Sequence, residues 1–94
     1  MKRYYSHYTY IYPDIFLKNC IIEMDDKHRI IHIFQFKKEI EKTEFYSGLL
    51  LFLPEGTDLS EDMFTKIKGA DFKSGDMNIS SDNSYYFIHR EDLY

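Results

Sequence analysis

Hydrophobic residues in this chain are concentrated in short segments that polar or turn-forming residues separate. The longest apolar run lies within Phe45–Leu53, a segment that contains Gly48 and is followed by Pro54. Because the run is apolar at both odd and even positions, it predicts a strand buried on both faces, or one that bends from one sheet into another. Gly48 is the expected position of that bend or bulge.

Four other segments have the alternation or the β-prone composition that is typical of strands. The first is expected to end at Pro13-Asp14, a pair that favours a turn. The second and third are joined by the polar connector Asp25–His28 and predict a β-hairpin over residues 15–36. The four segments are residues 4–12, 15–24, 29–36 and 85–89.

Strict alternation inside these segments predicts which side chains share a face. In the second segment, the side chains on one face include Cys20, Ile22 and Met24. In the third, Ile31 and Ile33 have one parity, and Ile30, His32, Phe34 and Phe36 have the other.

One helix is predicted at Glu61–Lys68, with Ser60 as its N-terminal cap and Gly69 as its end. Its apolar side would consist of Met63, Phe64 and Ile67. The two polar segments predicted as loops are residues 37–44 and 71–84, the second with one short strand at 77–79. The chain is therefore expected to form one mostly-β domain over residues 1–94, a small β-sandwich or a partly open barrel with one short helix.

Composition narrows the classes of function. The chain has 94 residues, enough for one small core, and 18% of them are aromatic: nine Tyr and eight Phe, with no Trp. A net charge of −4 and a pI of about 5.5 do not provide the basic surface that nucleic acids require, so no nucleic-acid partner is expected.

The same sequence gives expectations about compartment. A single cysteine, Cys20, excludes an intrachain disulfide. No apolar segment resembling a signal peptide follows Met1, and the run Leu49–Leu53 is far too short to span a bilayer. A soluble, cytoplasmic protein without membrane partners is expected.

The order of several segments resembles a known family. Tyr12-Pro13, then Leu17–Asp26, then Arg29–Ile33, then Thr43–Leu50 is similar to the N-terminal part of metal-dependent amidohydrolases. In that superfamily a small β-sandwich, the composite domain, flanks a catalytic β/α barrel. The resemblance covers residues 10–54 and implies the sandwich fold.

The resemblance does not imply the family's catalysis. In the family the last of these strands is followed by Gly-Phe and a His-x-His metal motif, whereas here Pro54 is followed by Glu55-Gly56 and no His lies between His32 and His89. The barrel itself would need well over a hundred further residues. No metal ligand or catalytic residue of the family can be assigned to a position in this chain.

Candidate catalytic and metal-binding groups each have a simpler interpretation. His28 and His32 would be about 13 Å apart along a strand, too far to share one ion. Cys20 could meet His7 or His89 as a thiolate pair, but it fits better as a small buried side chain. The paired carboxylates lie in connectors or at the helix start, where solvation is expected. We therefore expect no cofactor, no metal site and no stand-alone enzyme.

Tyrosines form the one candidate binding surface. If exposed, their rigid rings and hydroxyl groups would bind a partner protein or a sugar ring; if covered, they would be half-buried core, with hydroxyl groups reaching its rim. The first strand also carries Tyr5, on the opposite parity from its other tyrosines. The candidate residues are Tyr4, Tyr8, Tyr10, Tyr12, Tyr85 and Tyr86.

These observations favour a non-catalytic interaction module that associates with itself, as an edge-paired homodimer for example, or with a partner chain. Two alternatives remain open. One is an accessory piece that docks on a separate metal-dependent hydrolase barrel, an idea that rests on analogy of fold. The other is a binder of carbohydrate or another small ligand at the tyrosine-rich face.

Overall fold

The computed structural model describes residues 1–77, 79 and 82–91. In that part of the chain, strands predominate and a single short helix is present, which confirms the predicted fold class. The elements in chain order are β1 (Lys2–Ile11), β2 (Ile15–Met24), β3 (Ile30–Gln35), β4 (Thr43–Pro54), α1 (Glu61–Lys68) and β5 (Tyr85–Arg90).

All five strands belong to one mixed sheet, in the order β3-β2-β1-β4-β5, which is not closed. The central strand β1 is antiparallel to β2 and parallel to β4. The hairpin predicted over residues 15–36 is confirmed as the antiparallel pair β2–β3. The parallel pair requires a long connection, and here the hairpin and the loop after it supply that connection.

The sheet curls around one of its faces. The Phe87 ring on β5 lies 4.7 Å from the Tyr4 ring on β1, although β4 lies between these strands. The Tyr85 N–H donates a hydrogen bond of 2.8 Å to the carbonyl oxygen of His28, in the β2–β3 connector. Because one curled, unclosed sheet contains all five strands, the structure corresponds to the partly open barrel rather than to two facing sheets.

Side chains on the two faces of the sheet form two separate cores. The inner face, around which the sheet curls, is filled by one buried cluster, and α1 covers part of the opposite face, called here the helix face. The inner cluster contains Tyr4, Ile11, Leu17, Cys20, Ile22, Met24, Ile30, Ile33, Leu50, Phe52 and Tyr85. The helix-face cluster contains Tyr10, Leu49, Leu51, Leu53, Met63 and Ile67.

The alternation of apolar residues and the turn-forming residues correctly predicted the positions of the helix and the five strands. The bounds of β2 and α1 agree with the prediction, and each other strand differs by no more than two residues at either end. Ser60 precedes α1 as predicted, but its side chain makes no capping hydrogen bond. The predicted short strand at 77–79 is wrong in extent, since Met77 forms only an isolated bridge to Ile33 and residue 79 is not in a strand. Residue 78 is outside the described residues.

Bulges overturn two of the predicted face assignments. Tyr4 lies on the inner face whereas Tyr8 and Tyr10 lie on the helix face, because the β1–β4 register shifts between Ser6 and Tyr8. The extra β4 residue lies beside Gly48, whose φ of +83° confirms the bulge predicted there.

The second assignment to fail is in β3. Ile30 and Ile33 are both buried in the inner cluster, although their parities differ, and Ile31 is 37% exposed. A register shift between Glu23 and Met24 of β2 leaves Ile31 without a partner in the β2–β3 ladder. One unpaired residue reverses the alternation on either side of it.

Candidate functional site

The six candidate tyrosines do not form one surface. Tyr10 is fully buried, and Tyr4 and Tyr85 are each only 7% exposed in the inner cluster. Tyr8, Tyr12 and Tyr86 are half-buried at the margin of the helix-face cluster.

Two of these tyrosines donate hydrogen bonds to the protein's own backbone. The Tyr10 hydroxyl donates a hydrogen bond of 2.9 Å to the carbonyl oxygen of Pro13. The Tyr86 hydroxyl donates to the carbonyl oxygen of Thr57. Burial raises the pKa of Tyr4 and of Tyr10 above the usual value for a phenol. Tyr10 therefore has a structural role in the core.

A different set of aromatic side chains is open to solvent. Tyr5, Phe36 and Phe45, called here the aromatic patch, have ring centroids 4.9 Å, 5.4 Å and 6.1 Å apart. Phe45 is 49% exposed, and Tyr5 and Phe36 are half-buried. Three sequence-distant segments meet here, because Tyr5 is directly paired with Phe45 across β1 and β4, and Phe36 follows the end of β3.

The aromatic patch lies on the half of the helix face that α1 leaves uncovered. Tyr5 and Phe45 adjoin Tyr4 and Tyr46, which are on the inner side, so alternation directs them to the helix face. At the other end of this face, α1 packs Met63 and Ile67 on the sheet. An exposed apolar cluster that adjoins a covered one is a recognised sign of a binding surface.

Next to the aromatic patch, the sheet is irregular at His7. The β1–β2 ladder is interrupted between the pairs Ser6–Cys20 and Tyr8–Lys18, and the residue opposite His7 is Asn19, whose φ is +54°. Left-handed backbone is uncommon for residues other than glycine, although asparagine tolerates it best. Such irregularities often lie near functional sites, because they redirect side chains.

Beside the interruption is an open surface pocket of about 340 Å³, called here the bulge pocket. Its lining consists of the half-buried Tyr8 and of three exposed residues, His7, Lys18 and Asn19. Its volume is at the lower end of the range for small-molecule sites. The His7 ring also lies 5.9 Å from the Tyr5 ring, in an edge-on arrangement, so the bulge pocket is adjacent to the aromatic patch.

Hydrogen bonds determine which atoms the bulge pocket presents. The Gly48 N–H donates to His7 Nδ1 at 3.5 Å, so the neutral imidazole carries its proton on Nε2. The Tyr5 hydroxyl donates to Asn19 Oδ1 at 2.9 Å, which leaves the two N–H donors of that amide directed elsewhere. The bulge pocket therefore presents donors and one cation, and no carboxylate lines it among the residues that the structure describes.

The candidate metal and thiolate groups are not assembled into a site. His32 Nδ1 lies 3.9 Å from the Glu23 carboxylate, whereas His28 forms part of the β2–β3 turn. Among the residues that the structure describes, no group of three or more His, Cys, Asp or Glu side chains could hold a metal ion.

Cys20 is buried, and its thiol donates to the backbone carbonyl oxygens of Lys18 and Gly75. Burial raises the pKa of this thiol. The contacts of His7 and His89 are instead with the β4 bulge, at Gly48 and Ser47.

Asp25, one of the paired acids in the β2–β3 connector, has a structural role. Asp25 Oδ1 accepts hydrogen bonds of 2.9 Å from the backbone N–H groups of Lys27 and Arg29, and Asp25 Oδ2 accepts one of 2.8 Å from Arg29 Nε. These bonds close the β2–β3 turn. They also hold the pKa of Asp25 below its usual value, chiefly through the bond from the Arg29 backbone N–H.

Sequence reasoning missed the residues of the aromatic patch and of the bulge pocket. In the sequence, Phe36 and Phe45 have the pattern of ordinary strand residues. Only the pairing of distant strands brings them beside Tyr5. One signal was available: Asn19 lies in a predicted strand, where asparagine is depleted.

Comparisons with known proteins found no relatives: no family model, no curated protein and no solved structure matches this chain. The resemblance of residues 10–54 to the composite domain of amidohydrolases therefore stays a prediction. Within the described residues, no helix has the length and apolar character needed to cross a membrane.

Proposed function

We propose that this chain is a non-catalytic, cytoplasmic interaction module that binds a protein partner through the aromatic patch. The observation that supports this most directly is a cluster of three contacting rings at the surface, in which Phe45 is exposed and Tyr5 and Phe36 are half-buried. Phe45 is 49% exposed, whereas Leu49 and Leu51 on the same side of β4 are fully buried beneath α1.

Aromatic side chains bury a large area and lose little conformational freedom, and for this reason they dominate the binding energy of many interfaces. Phe45 is held by its contacts with Tyr5 and Phe36, so little further ordering is needed on binding.

The setting of the patch also suits a protein interface. The 2.8 Å ion pair between Arg3 and Glu23 joins β1, the strand that also carries Tyr5, to β2. Apolar centres with polar margins are the usual anatomy of such interfaces.

A carbohydrate is a poorer fit to this surface. A sugar ring stacks on a flat aromatic platform, whereas the Tyr5 ring is inclined by 53° to Phe36 and by 50° to Phe45. The accessory-subunit alternative, in which the partner is a metal-dependent hydrolase barrel, differs only in the identity of the partner. The same experiment separates it from other partners.

The test compares wild-type protein with Phe45→Ser and with Ile31→Ser, a control at another exposed apolar residue outside the patch. Sedimentation velocity over a range of concentrations measures self-association, and quantitative capture from lysate of the natural source measures binding of other proteins. Truncating a central aromatic anchor costs about 2 kcal/mol or more, equivalent to roughly 30-fold weaker binding.

We expect Phe45→Ser to lose the complex and Ile31→Ser to keep it. A captured hydrolase barrel that depends on Phe45 would favour the accessory-subunit alternative. Equal complex formation by all three proteins would refute a role for the aromatic patch.

A further inference from the structure

We infer that the bulge pocket is a binding site for a small organic carboxylate with a flat apolar body. This inference concerns a separate site and does not depend on partner binding at the aromatic patch. Three of the four lining residues offer hydrogen-bond donors, and the fourth, Tyr8, provides an aromatic wall.

The charge of the bulge pocket differs from that of the whole chain. The protein has a net charge of −4, yet among the described residues the one charged group lining this pocket is the Lys18 ammonium. Within the described part of the chain, no carboxylate forms an ion pair with Lys18. An unpaired cation among neutral donors selects an anion over a neutral or cationic ligand.

The neighbouring groups match the acceptor pattern of a carboxylate. The Asn19 amide presents N–H donors because its oxygen is occupied by the Tyr5 hydroxyl. His7 presents its Nε2–H because Nδ1 accepts from Gly48. A carboxylate has two oxygens and about four acceptor sites, enough to bond the amide and the imidazole while facing Lys18.

The apolar part of the ligand follows from the rings at the pocket. The Tyr8 ring contacts the Phe72 ring at 5.1 Å, which holds this aromatic wall in place. The Tyr5 ring lies 5.9 Å from the His7 ring, next to the pocket. A flat body of about the size of a benzene ring is therefore expected against these aromatic side chains.

Binding is tested with benzoate as the probe, followed through ¹H–¹⁵N spectra of labelled protein at low salt. Benzamide is the neutral control of nearly equal shape, and benzylamine is the cationic one. We expect saturable shifts at the backbone amides of His7, Tyr8, Lys18 and Asn19 with benzoate only, and weaker binding as salt is raised.

Variants identify the groups responsible. Lys18→Met is expected to weaken benzoate binding about tenfold or more, and Lys18→Arg to restore most of it. Asn19→Asp keeps a residue that tolerates the left-handed backbone but replaces the amide donors with a carboxylate, so benzoate binding should be lost. Lys68→Met, at the end of α1, is the matched control for charge and should bind as wild type.

Two outcomes would overturn the inference. One is that benzoate and benzamide shift the same amides with similar affinity. The other is that Lys18→Met binds benzoate as tightly as wild type does. Phe45→Ser leaves every residue of the bulge pocket in place, so this variant should still bind benzoate. Partner binding at the aromatic patch and carboxylate binding at the bulge pocket can therefore be refuted independently.

Discussion

Replacing Gly48 with alanine tests the bulge that arranges the candidate site. Gly48 has a φ of +83°, and its N–H donates to His7. A Cβ added at Gly48 would lie 2.7 Å from the carbonyl oxygen of Arg90 and 2.9 Å from the Cα of Glu91. Both are backbone atoms, so neither can rotate away as a side chain would.

The expected cost has two parts. A left-handed conformation costs a residue with a Cβ about 1–2 kcal/mol. Forcing an extra methyl group against packed backbone costs about 1–3 kcal/mol more. The sum, about 2–5 kcal/mol, is a large share of the roughly 5–15 kcal/mol that stabilises a typical domain.

Gly56→Ala is the matched control, because it separates the cost of the left-handed backbone from the cost of the steric clash. Gly56 has a φ of +90°, but a Cβ there would meet no atom within 4 Å. Its substitution should therefore cost only the backbone part, about 1–2 kcal/mol.

The assay is urea unfolding of wild type and both variants, supported by thermal unfolding. We expect Gly48→Ala to be less stable than Gly56→Ala by about 1–3 kcal/mol, which for a domain of this size is a difference in Tm of roughly 5–20 °C. Equal losses in the two variants would refute the close approach of β5 to the β4 bulge.

Two further predictions concern titratable groups. Because the pKa of Asp25 is lowered in the folded protein, its charge stabilises the fold fully above the unfolded pKa, and this contribution is lost as the pH falls through the folded pKa. The stability difference between wild type and Asp25→Asn should therefore shrink in urea titrations as the pH falls from neutral through the acid range, and a difference independent of pH would contradict the turn electrostatics. Cys20 is fully buried and its pKa is raised, so a thiol reagent at pH 8 should modify it at the rate of chain opening, whereas a rate equal to that of the unfolded chain would contradict its burial.

Local sequence signals predicted the secondary structure and the fold class. The bounds of α1 were predicted from Ser60 before it, Gly69 after it and the spacing of its apolar residues, which are signals within a few residues of each end, although the Ser60 side chain makes no capping hydrogen bond. The β2–β3 hairpin could also be predicted from the sequence, because its turn lies between two short apolar segments. A bulge was predicted at Gly48 because an isolated glycine inside a strand often marks a bulge.

Non-local contacts were not predictable in the same way. The parallel pairing of β1 with β4 brings Tyr5 to Phe45, and the sequence does not encode that register in any local pattern. Register shifts next to His7 and at Ile31 then reversed the expected faces. The candidate site consequently moved from the alternating tyrosines to the aromatic patch and the bulge pocket.

The most direct test of the account is to map where a partner contacts the protein. ¹H–¹⁵N spectra of the labelled chain would be compared with and without the captured partner, or at low and high concentration if the chain binds itself. The account predicts that changes are confined to the amides of Tyr5, Phe36, Phe45 and their neighbours on the uncovered half of the helix face. Changes confined to the edge strand β5, with the aromatic patch unaffected, would contradict it.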